Sequence, residues 1–344
     1  MNNPFTTTFG IEPSNYIKRN VESERIVSEF SSDSPSNYVY IITGLRGSGK
    51  TVLLSAIANH FMEQDDWIVV DPGPKDNILE NVASELYETG KVKKLFFKGE
   101  FSFSFHGLTF SLEGKEPVTT VNTLLKKMLQ FLKKKGKKVL ITIDEVDSSE
   151  QMKLFIQAYQ SLLRLNYPIR LLMTGLYDNV SKLQEDKALT FLYRAPKISL
   201  PPLGVGAVAS SYRRYLGVSD VDSIMMAKMT KGYAYAYQVL GYLLYPKPDK
   251  AIDDAVLAEY DQYLADYVYD KLYSELTDVE QKILCAFPNG GAIKMNDLAA
   301  ACALDTKYLS VYRDRLIKKG IIFSPSYGFV ELSLPRFHEY LLTK

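Results

Sequence analysis

The sequence is poor in the residues that build disulfide frameworks, metal centres and membrane spans. It contains only two cysteines, Cys285 and Cys302, which are too few for a disulfide framework and too far apart for a Cys-x-x-Cys site. Its three histidines are dispersed and offer no constellation for a metal or a nucleophile. No apolar run approaches the roughly eighteen residues that would span a bilayer. We therefore expect a cytoplasmic protein without a membrane partner.

The sequence also lacks an excess of charge of either sign. Its formal net charge is +1, from 41 basic and 40 acidic residues. This balance argues against a protein coated in positive charge for non-specific nucleic-acid binding, although it allows a local basic face. A chain of 344 residues is too long for one small core, so two or three domains are expected.

What the sequence does contain is an alternation of short buried runs with helical patterns. The apolar, β-branched runs at 38–43, 67–71, 139–147 and 169–175 are typical of buried strands, and segments with helical spacing lie between them. Four strands that alternate with helices predict an α/β fold with a mostly parallel sheet and helices on both faces.

The first predicted strand runs directly into the loop "GLRGSGKT". Gly44, Gly49, Lys50 and Thr51 satisfy the pattern G-x-x-x-x-G-K-[ST] between a strand and a helix. Such a loop turns backbone N–H groups toward a polyphosphate, and the helix N-terminus adds partial positive charge. We expect Lys50 to reach the β and γ phosphates of ATP and Thr51 to ligate Mg²⁺. The predicted nucleotide-binding residues are Gly44, Arg46, Gly47, Ser48, Gly49, Lys50, Thr51 and Val52.

A second motif, "VLITIDE", places two carboxylates at the end of another predicted strand. In a parallel sheet this end would lie beside the phosphate loop, so Asp144 is expected to hold Mg²⁺ through water. Glu145 would orient or deprotonate the attacking water. The neighbouring Asp147 and Glu150 are better explained as helix-cap or surface groups.

With these motifs the sequence resembles the AAA+ class of P-loop ATPases. More narrowly, it resembles the branch that includes the archaeal-type STAND-like ATPases and the origin-recognition initiators. The resemblance rests on "FGIEPSNYIKR", "GLRGSGKT", "LITIDEVD", "LMTGL", "YRAPKISLPPL", "KGYAYAYQVLG" and a C-terminal winged-helix pattern, and it covers nearly the whole chain. It implies a P-loop fold followed by a helical lid and a winged helix.

The resemblance also implies roles for residues outside the two motifs. Thr174, at the end of the fourth predicted strand, would sense the γ-phosphate, although it could simply cap the turn before Gly175. Arg194 would touch phosphates in its own or a neighbouring subunit, or it could be a surface residue. Pro13, Tyr16 and Ile17 would lie against adenine, although an aromatic residue there could instead pack in the core.

Changes in composition suggest where the domains divide. We expect an ATPase domain at 1–200 with an inserted hairpin near 100–114, a helical lid at 201–275 and a winged-helix domain at 276–344. The hairpin could be an interaction element or a covered edge strand. The lid departs from the class pattern, because "GYA" at 232–234 carries neither the proline nor the arginine often found there.

The C-terminal segments follow the order of a winged helix, whose third helix enters the DNA major groove in DNA-binding members. The excess of basic residues there is small, and winged helices also bind proteins. The candidates for DNA contact are Lys307, Tyr308, Arg313, Arg315, Lys318 and Lys319.

Three functions fit these patterns. The first is a Mg²⁺-dependent ATPase that couples nucleotide state to conformational change or self-association and engages duplex DNA. The second is a STAND-like switch whose winged helix binds a protein partner. The third is an ATP-dependent loader or helper for mobile DNA. Glu145 argues for hydrolysis in all three, because a module that only binds nucleotide has no need of that carboxylate.

Overall fold

The computed structural model describes residues 3–8, 10, 13–74, 77–89, 92, 102–105, 108–110, 117–118, 120–288 and 291–344. The chain divides into two compact units. The sheet unit comprises Arg19–Thr43 and Thr51–Ser199. The helical unit comprises Met1–Lys18, Gly44–Lys50 and Leu200–Lys344.

Helices and strands alternate through the sheet unit, and helices dominate the other unit. Among the described residues, no helix is both long and apolar enough to cross a bilayer. The first group of elements is α1 (Asn20–Ser31), β1 (Val39–Thr43), α2 (Lys50–Met62), β2 (Trp67–Val70), α3 (Ile78–Glu88), β3 (Ser102–Phe105), β4 (Leu108–Phe110), β5 (Pro117–Val118), α4 (Val121–Lys134), β6 (Lys138–Ile143), α5 (Glu150–Arg164), β7 (Ile169–Gly175), α6 (Tyr177–Glu185) and β8 (Lys197–Ser199). The second group is α7 (Val205–Leu216), α8 (Asp220–Met229), α9 (Ala234–Leu244), α10 (Asp254–Leu264), α11 (Asp270–Ser274), α12 (Asp278–Cys285), β9 (Ile293–Lys294), α13 (Met295–Cys302), α14 (Thr306–Lys319), β10 (Ile322–Phe323), β11 (Phe329–Leu332) and α15 (Phe337–Leu341).

The main sheet has five parallel strands in the order β2, β6, β7, β1, β8. Thr43 of β1 pairs with Gly175 of β7, and Ile143 of β6 pairs with Met173. The carboxyl ends of these three strands therefore lie at one edge. Ligands of open α/β sheets bind at this edge, so the topology places Asp144, which follows β6, and Thr174, near the end of β7, where a ligand is expected.

Both faces of this sheet are buried under helices. Ile41, Ile141 and Leu171 belong to a core shared with side chains of α3, α4, α5 and α6. The next residue along β1, Tyr40, points to the opposite face, where its ring lies 5.6 Å from that of Phe30 in α1. A buried aliphatic or aromatic side chain stabilises the folded state by about 1.5–3 kcal/mol. The prediction of a parallel sheet with helices on both faces is confirmed.

Two details of the sheet differ from the sequence prediction. The fifth strand, β8, was missed because it has only three residues, of which Ile198 alone is buried. The third predicted strand was also drawn too long, since β6 ends at Ile143. Glu145 adopts φ +55°, a left-handed conformation that turns the chain out of the sheet.

A small separate sheet follows α3 in the chain. β3 pairs antiparallel with β4, with Phe105 opposite Leu108, and β5 pairs parallel with β3. β3 and β4 fall within 100–114, the segment predicted to hold an inserted hairpin, and β5 lies just after it. Positions 106 and 107, at the centre of that predicted hairpin, lie outside the described residues.

The helical unit has its own core, formed by α7 to α15 and the N-terminal segment. Phe5 packs within 5.6 Å of the Tyr237 ring in α9, measured between ring centroids. Toward the C-terminus the order is α12, β9, α13, α14, β10 and β11, and the three strands form an antiparallel sheet in the order β10, β11, β9. We call 276–344 the C-terminal module.

Candidate nucleotide-binding site

The loop between β1 and α2 adopts a backbone conformation that requires glycine. Gly47 and Gly49 have φ values of +73° and +91°, which residues with a Cβ rarely adopt. At Gly44 a Cβ atom would lie 2.7 Å from the Ser48 hydroxyl oxygen, so that hydroxyl would have to move to make room for a side chain. The three glycines therefore allow the tight turn that a phosphate-binding loop needs.

Lys50, the first residue of α2, forms a hydrogen bond across the loop. Its ammonium donates a hydrogen bond to the Leu45 carbonyl over 2.9 Å, and only 8% of the residue is exposed. The Ser48 N–H donates to the same carbonyl over 3.2 Å. The positive charge of Lys50 is thus held inside the loop, where an anionic group would gain most from it.

In the sheet unit, Asp144 receives hydrogen bonds from two threonine hydroxyls. The Thr51 hydroxyl donates to Asp144 Oδ2 over 2.7 Å, and the Thr174 hydroxyl donates to Oδ1. Thr51 and Asp144 are the two residues that the sequence predicts as Mg²⁺ ligands. A hydroxyl and a carboxylate this close are the hard oxygen donors that Mg²⁺ prefers, so the residues present fit this metal.

Glu145 is turned outward at the same end of the sheet. Its backbone N–H donates to the Thr174 hydroxyl over 3.2 Å, and the Val146 N–H donates to the Thr174 carbonyl over 2.8 Å. The left-handed conformation of a residue other than glycine costs free energy and persists only where neighbours hold it. Thr174 therefore positions both acidic residues, and the exposed side chain of Glu145 can reach solvent.

Asp71 is a further carboxylate at this edge that sequence reasoning missed. It follows β2, the neighbour of β6, and its backbone N–H donates to a Glu85 carboxylate oxygen over 2.7 Å. The residue as a whole is exposed, but partial desolvation raises the pKa of its carboxyl. A hydrogen bond with Thr142 lowers this pKa, and the negative charge of Asp144 raises it further. A carboxylate directly after the buried run "WIVVD" was the available signal.

The segment predicted to contact adenine is anchored on α9 within the helical unit. Asn15 is buried; its side-chain amide nitrogen donates to the Tyr237 hydroxyl over 3.0 Å, and its side-chain oxygen Oδ1 accepts from the Gln238 side-chain amide over 2.9 Å. Ile17 packs against the core of this unit. Tyr16, which donates its N–H to the Pro13 carbonyl over 3.1 Å, is half-buried.

The remaining candidates of the sheet unit occupy the start of α2 and the approach to β8. Val52 is half-buried in the first turn of α2. Arg194 is exposed at the end of a short 3₁₀ turn, Leu192–Arg194, just before β8.

The six candidates for DNA contact lie on α14, but their charges are not equally available. Lys307, Tyr308, Arg315 and Lys318 are exposed. The other two are already engaged. Arg313 lies 2.6 Å from the carboxylate of Asp314, and Lys319, with 11% of its side chain exposed, forms a 2.8 Å ion pair with the fully buried side chain of Glu280.

The fold is shared with several solved structures. The chain matches the Walker-type ATPase of Pyrococcus abyssi with a TM-score of 0.67 at 15% identity, over 95% of this chain and 96% of that one. It matches the ORC2 protein of Aeropyrum pernix in ADPNP–ADP complexes with a TM-score of 0.58 at 14% identity, over 98% and 96%. For Cdc6p of Pyrobaculum aerophilum the TM-score is 0.51 at 13% identity, over 98% and 96%.

The parallel sheet and its glycine loop define a P-loop ATPase. The model of a family described as "ATPase domain predominantly from Archaea" matches residues 19–192, half of the chain. The chain belongs to this family; it is an ATPase and binds nucleotide. A second model, "Domain of unknown function (DUF8462)", matches residues 266–341. A search of curated proteins finds no match.

Proposed function

We propose that this ATPase hydrolyses Mg²⁺-bound ATP and uses the nucleotide state to change its conformation or assembly while it engages duplex DNA. The observation that carries the hydrolytic part is the bonding of Asp144 to Thr51 and Thr174. These bonds support the proposal because they hold a hydroxyl and a carboxylate, both suitable ligands for Mg²⁺, close to Glu145 at one edge of the sheet. In this proposal 1–200 is the ATPase domain, 201–275 a helical lid and 276–344 a winged helix.

Each site residue has a role that follows from its chemistry. The phosphate loop and Val52 bind the nucleotide, and Lys50 neutralises phosphate charge. Glu145 accepts a proton from the attacking water or orients that water. Arg194 neutralises charge that develops on the phosphoryl group, from its own or a neighbouring subunit. Pro13, Tyr16 and Ile17 contact adenine. The similar solved structures support the fold of this chain and not these residue roles.

Removing the Thr51 hydroxyl tests the metal site. Thr51→Val keeps the shape of the side chain but loses a hard oxygen ligand, so we expect the Mg²⁺ concentration for half-maximal ATP turnover to rise by roughly tenfold. Phosphate release measured across a Mg²⁺ titration gives this value. The control is Thr190→Val at an exposed position, which should leave it unchanged. An unaltered Mg²⁺ dependence in Thr51→Val would remove this residue from the metal site.

The exposed basic side chains of α14 support DNA engagement. Lys307, Arg315 and Lys318 lie on a single helix and are exposed. A basic surface of this kind binds the phosphate backbone, and its affinity falls as salt rises. These three charges are the part of the C-terminal module available for an electrostatic contact.

Replacing Lys307, Arg315 and Lys318 together by Ala is expected to weaken duplex binding by about ten- to a hundredfold at low salt. The slope of log affinity against log salt should fall by up to about 3, because each lost phosphate contact accounts for about 0.9. Fluorescence anisotropy with a labelled duplex measures both quantities. The matched control replaces Lys133, Lys134 and Lys135 by Ala. These lysines are exposed at the end of α4, and their replacement removes the same number of positive charges. Equal binding by the α14 variant and the wild type would end the DNA proposal.

A protein partner is the second candidate for α14, and a specific observation favours it. Val311 is 67% exposed and Tyr308 47% exposed on this helix. The Tyr308 and Tyr312 rings lie 5.0 Å apart, and their hydroxyls are 3.0 Å apart. Exposed aromatic and aliphatic groups suit a protein interface as well as a nucleic acid. In a STAND-like switch this face would bind a protein and turnover would be indifferent to DNA.

A further inference from the structure

The N-terminus of α9 makes two hydrogen bonds to the phosphate loop. The Tyr233 hydroxyl donates to the Arg46 carbonyl. The Tyr235 backbone N–H donates to the Gly47 carbonyl over 3.1 Å. All four residues belong to the helical unit, and both acceptors are successive carbonyls of the loop.

The packing at Gly47 shows how closely the two tyrosines approach. A Cβ atom on Gly47 would lie 2.5 Å from the Tyr233 hydroxyl oxygen and 2.9 Å from the Tyr235 Cβ. Glycine is therefore required at this position for two separate reasons, its φ of +73° and the contact with α9. The close contact between the loop and the two tyrosines therefore depends on the glycine at position 47.

Tyr233 itself is held firmly. Only 6% of the residue is exposed, and burial raises the pKa of its hydroxyl well above the usual value, so the group keeps its proton and remains a donor. The preceding Gly232 accepts a 2.7 Å hydrogen bond from the Leu203 N–H. A Cβ on Gly232 would lie 2.3 Å from the Leu203 carbonyl oxygen. The turn before α9 is thus locked against a neighbouring segment.

We propose that Tyr233 is a positioning residue for nucleotide binding, because its hydroxyl holds the phosphate loop in the conformation that receives phosphate. A trans peptide directs its C=O and N–H to opposite sides, so fixing the Arg46 carbonyl on Tyr233 turns the Gly47 N–H away from α9. A loop with three glycines is otherwise costly to order. Because these two hydrogen bonds order the loop before nucleotide binds, less binding free energy is lost in ordering it, and the affinity for nucleotide is higher.

Tyr233→Phe tests this role. The ring remains and only the hydroxyl is lost, so we expect the dissociation constant for Mg²⁺-ADP to rise by about five- to tenfold, the usual effect of one lost hydrogen bond. Turnover at saturating ATP should fall much less. Amide hydrogen exchange in 44–51 of the nucleotide-free protein should become faster. Titration calorimetry and exchange mass spectrometry give these values.

Tyr212→Phe is the matched control. The Tyr212 hydroxyl donates to the Tyr237 carbonyl over 2.9 Å and is fully buried in the same unit, but this bond does not involve the loop. The control should lower the melting temperature by a comparable amount while keeping ADP affinity within about twofold of the wild type. Wild-type affinity in Tyr233→Phe, or an equal loss of affinity in both variants, would overturn the proposal. The proposal rests on nucleotide binding by this ATPase, so its test does not depend on whether α14 binds DNA.

Discussion

Lys50→Ala is expected to lower kcat/KM for ATP by at least about 10²–10³-fold, the cost of removing one group that stabilises developing charge. The ammonium lies inside the phosphate loop, 2.9 Å from the Leu45 carbonyl, and Ala removes the charge and this bond together. Nucleotide binding should weaken as well, because an ammonium in the loop would attract nucleotide phosphates in the ground state as well as in the transition state. Phosphate release and calorimetry separate the two effects.

Lys133→Ala is the control for Lys50→Ala, since it removes one exposed lysine of the sheet unit. It should retain wild-type turnover. The assignment of the phosphate loop would be wrong if Lys50→Ala bound and hydrolysed ATP as the wild type does.

Glu145→Gln should separate binding from chemistry. The amide keeps the size of the side chain and the backbone bond to Thr174, but it cannot accept a proton from water. A general base contributes about 10²–10⁴-fold, so kcat should fall by at least about a hundredfold while the dissociation constant for ATP stays within about threefold. Single-turnover phosphate release together with ATP binding measures both quantities.

Glu150→Gln is the matched control, because this glutamate lies five positions along the chain, is exposed and pairs with Lys153 over 2.9 Å. Its turnover should equal that of the wild type. A Glu145→Gln protein that hydrolyses ATP at the wild-type rate would place the base elsewhere, and Asp71 would become the next residue to replace.

The sequence predicted four of the five strands of the main sheet, and the phosphate loop, because the signals for these elements are local. Buried β-branched runs and a glycine motif are each contained in a few adjacent residues. β8 gave no such signal, since a three-residue edge strand with Ile198 as its buried residue cannot be told from a loop. Its existence depends on pairing with β1, which is a long-range contact.

The sequence predicted which residues belong to the candidate site, but not the hydrogen bonds between them. The motifs identified Thr51 and Asp144, and the family resemblance implied Thr174, but the sharing of one carboxylate by two hydroxyls depends on the register of β6 and β7. Tyr233 and Arg46 are separated by 187 positions in the chain, and no local pattern links them.

Counting charges on α14 overestimates the charge that is available at its surface, for a similar reason. Lys319 contributed to the basic surface expected from the sequence, yet it pairs with Glu280 of α12. A buried carboxylate needs a partner, so the ion pair takes precedence over a surface role. Which lysines of a basic helix remain available is decided by the packing of the neighbouring helix.

The most direct measurement is phosphate release from ATP by the purified chain with Mg²⁺, beside Lys50→Ala and Glu145→Gln, with and without duplex DNA over a range of protein concentrations. We predict Mg²⁺-dependent release that duplex DNA stimulates and that both variants lose. Stimulation that grows with protein concentration would further indicate that Arg194 acts on a neighbouring subunit. Equal release by the wild type and both variants would contradict the account, and slow release indifferent to DNA would favour the protein-binding switch.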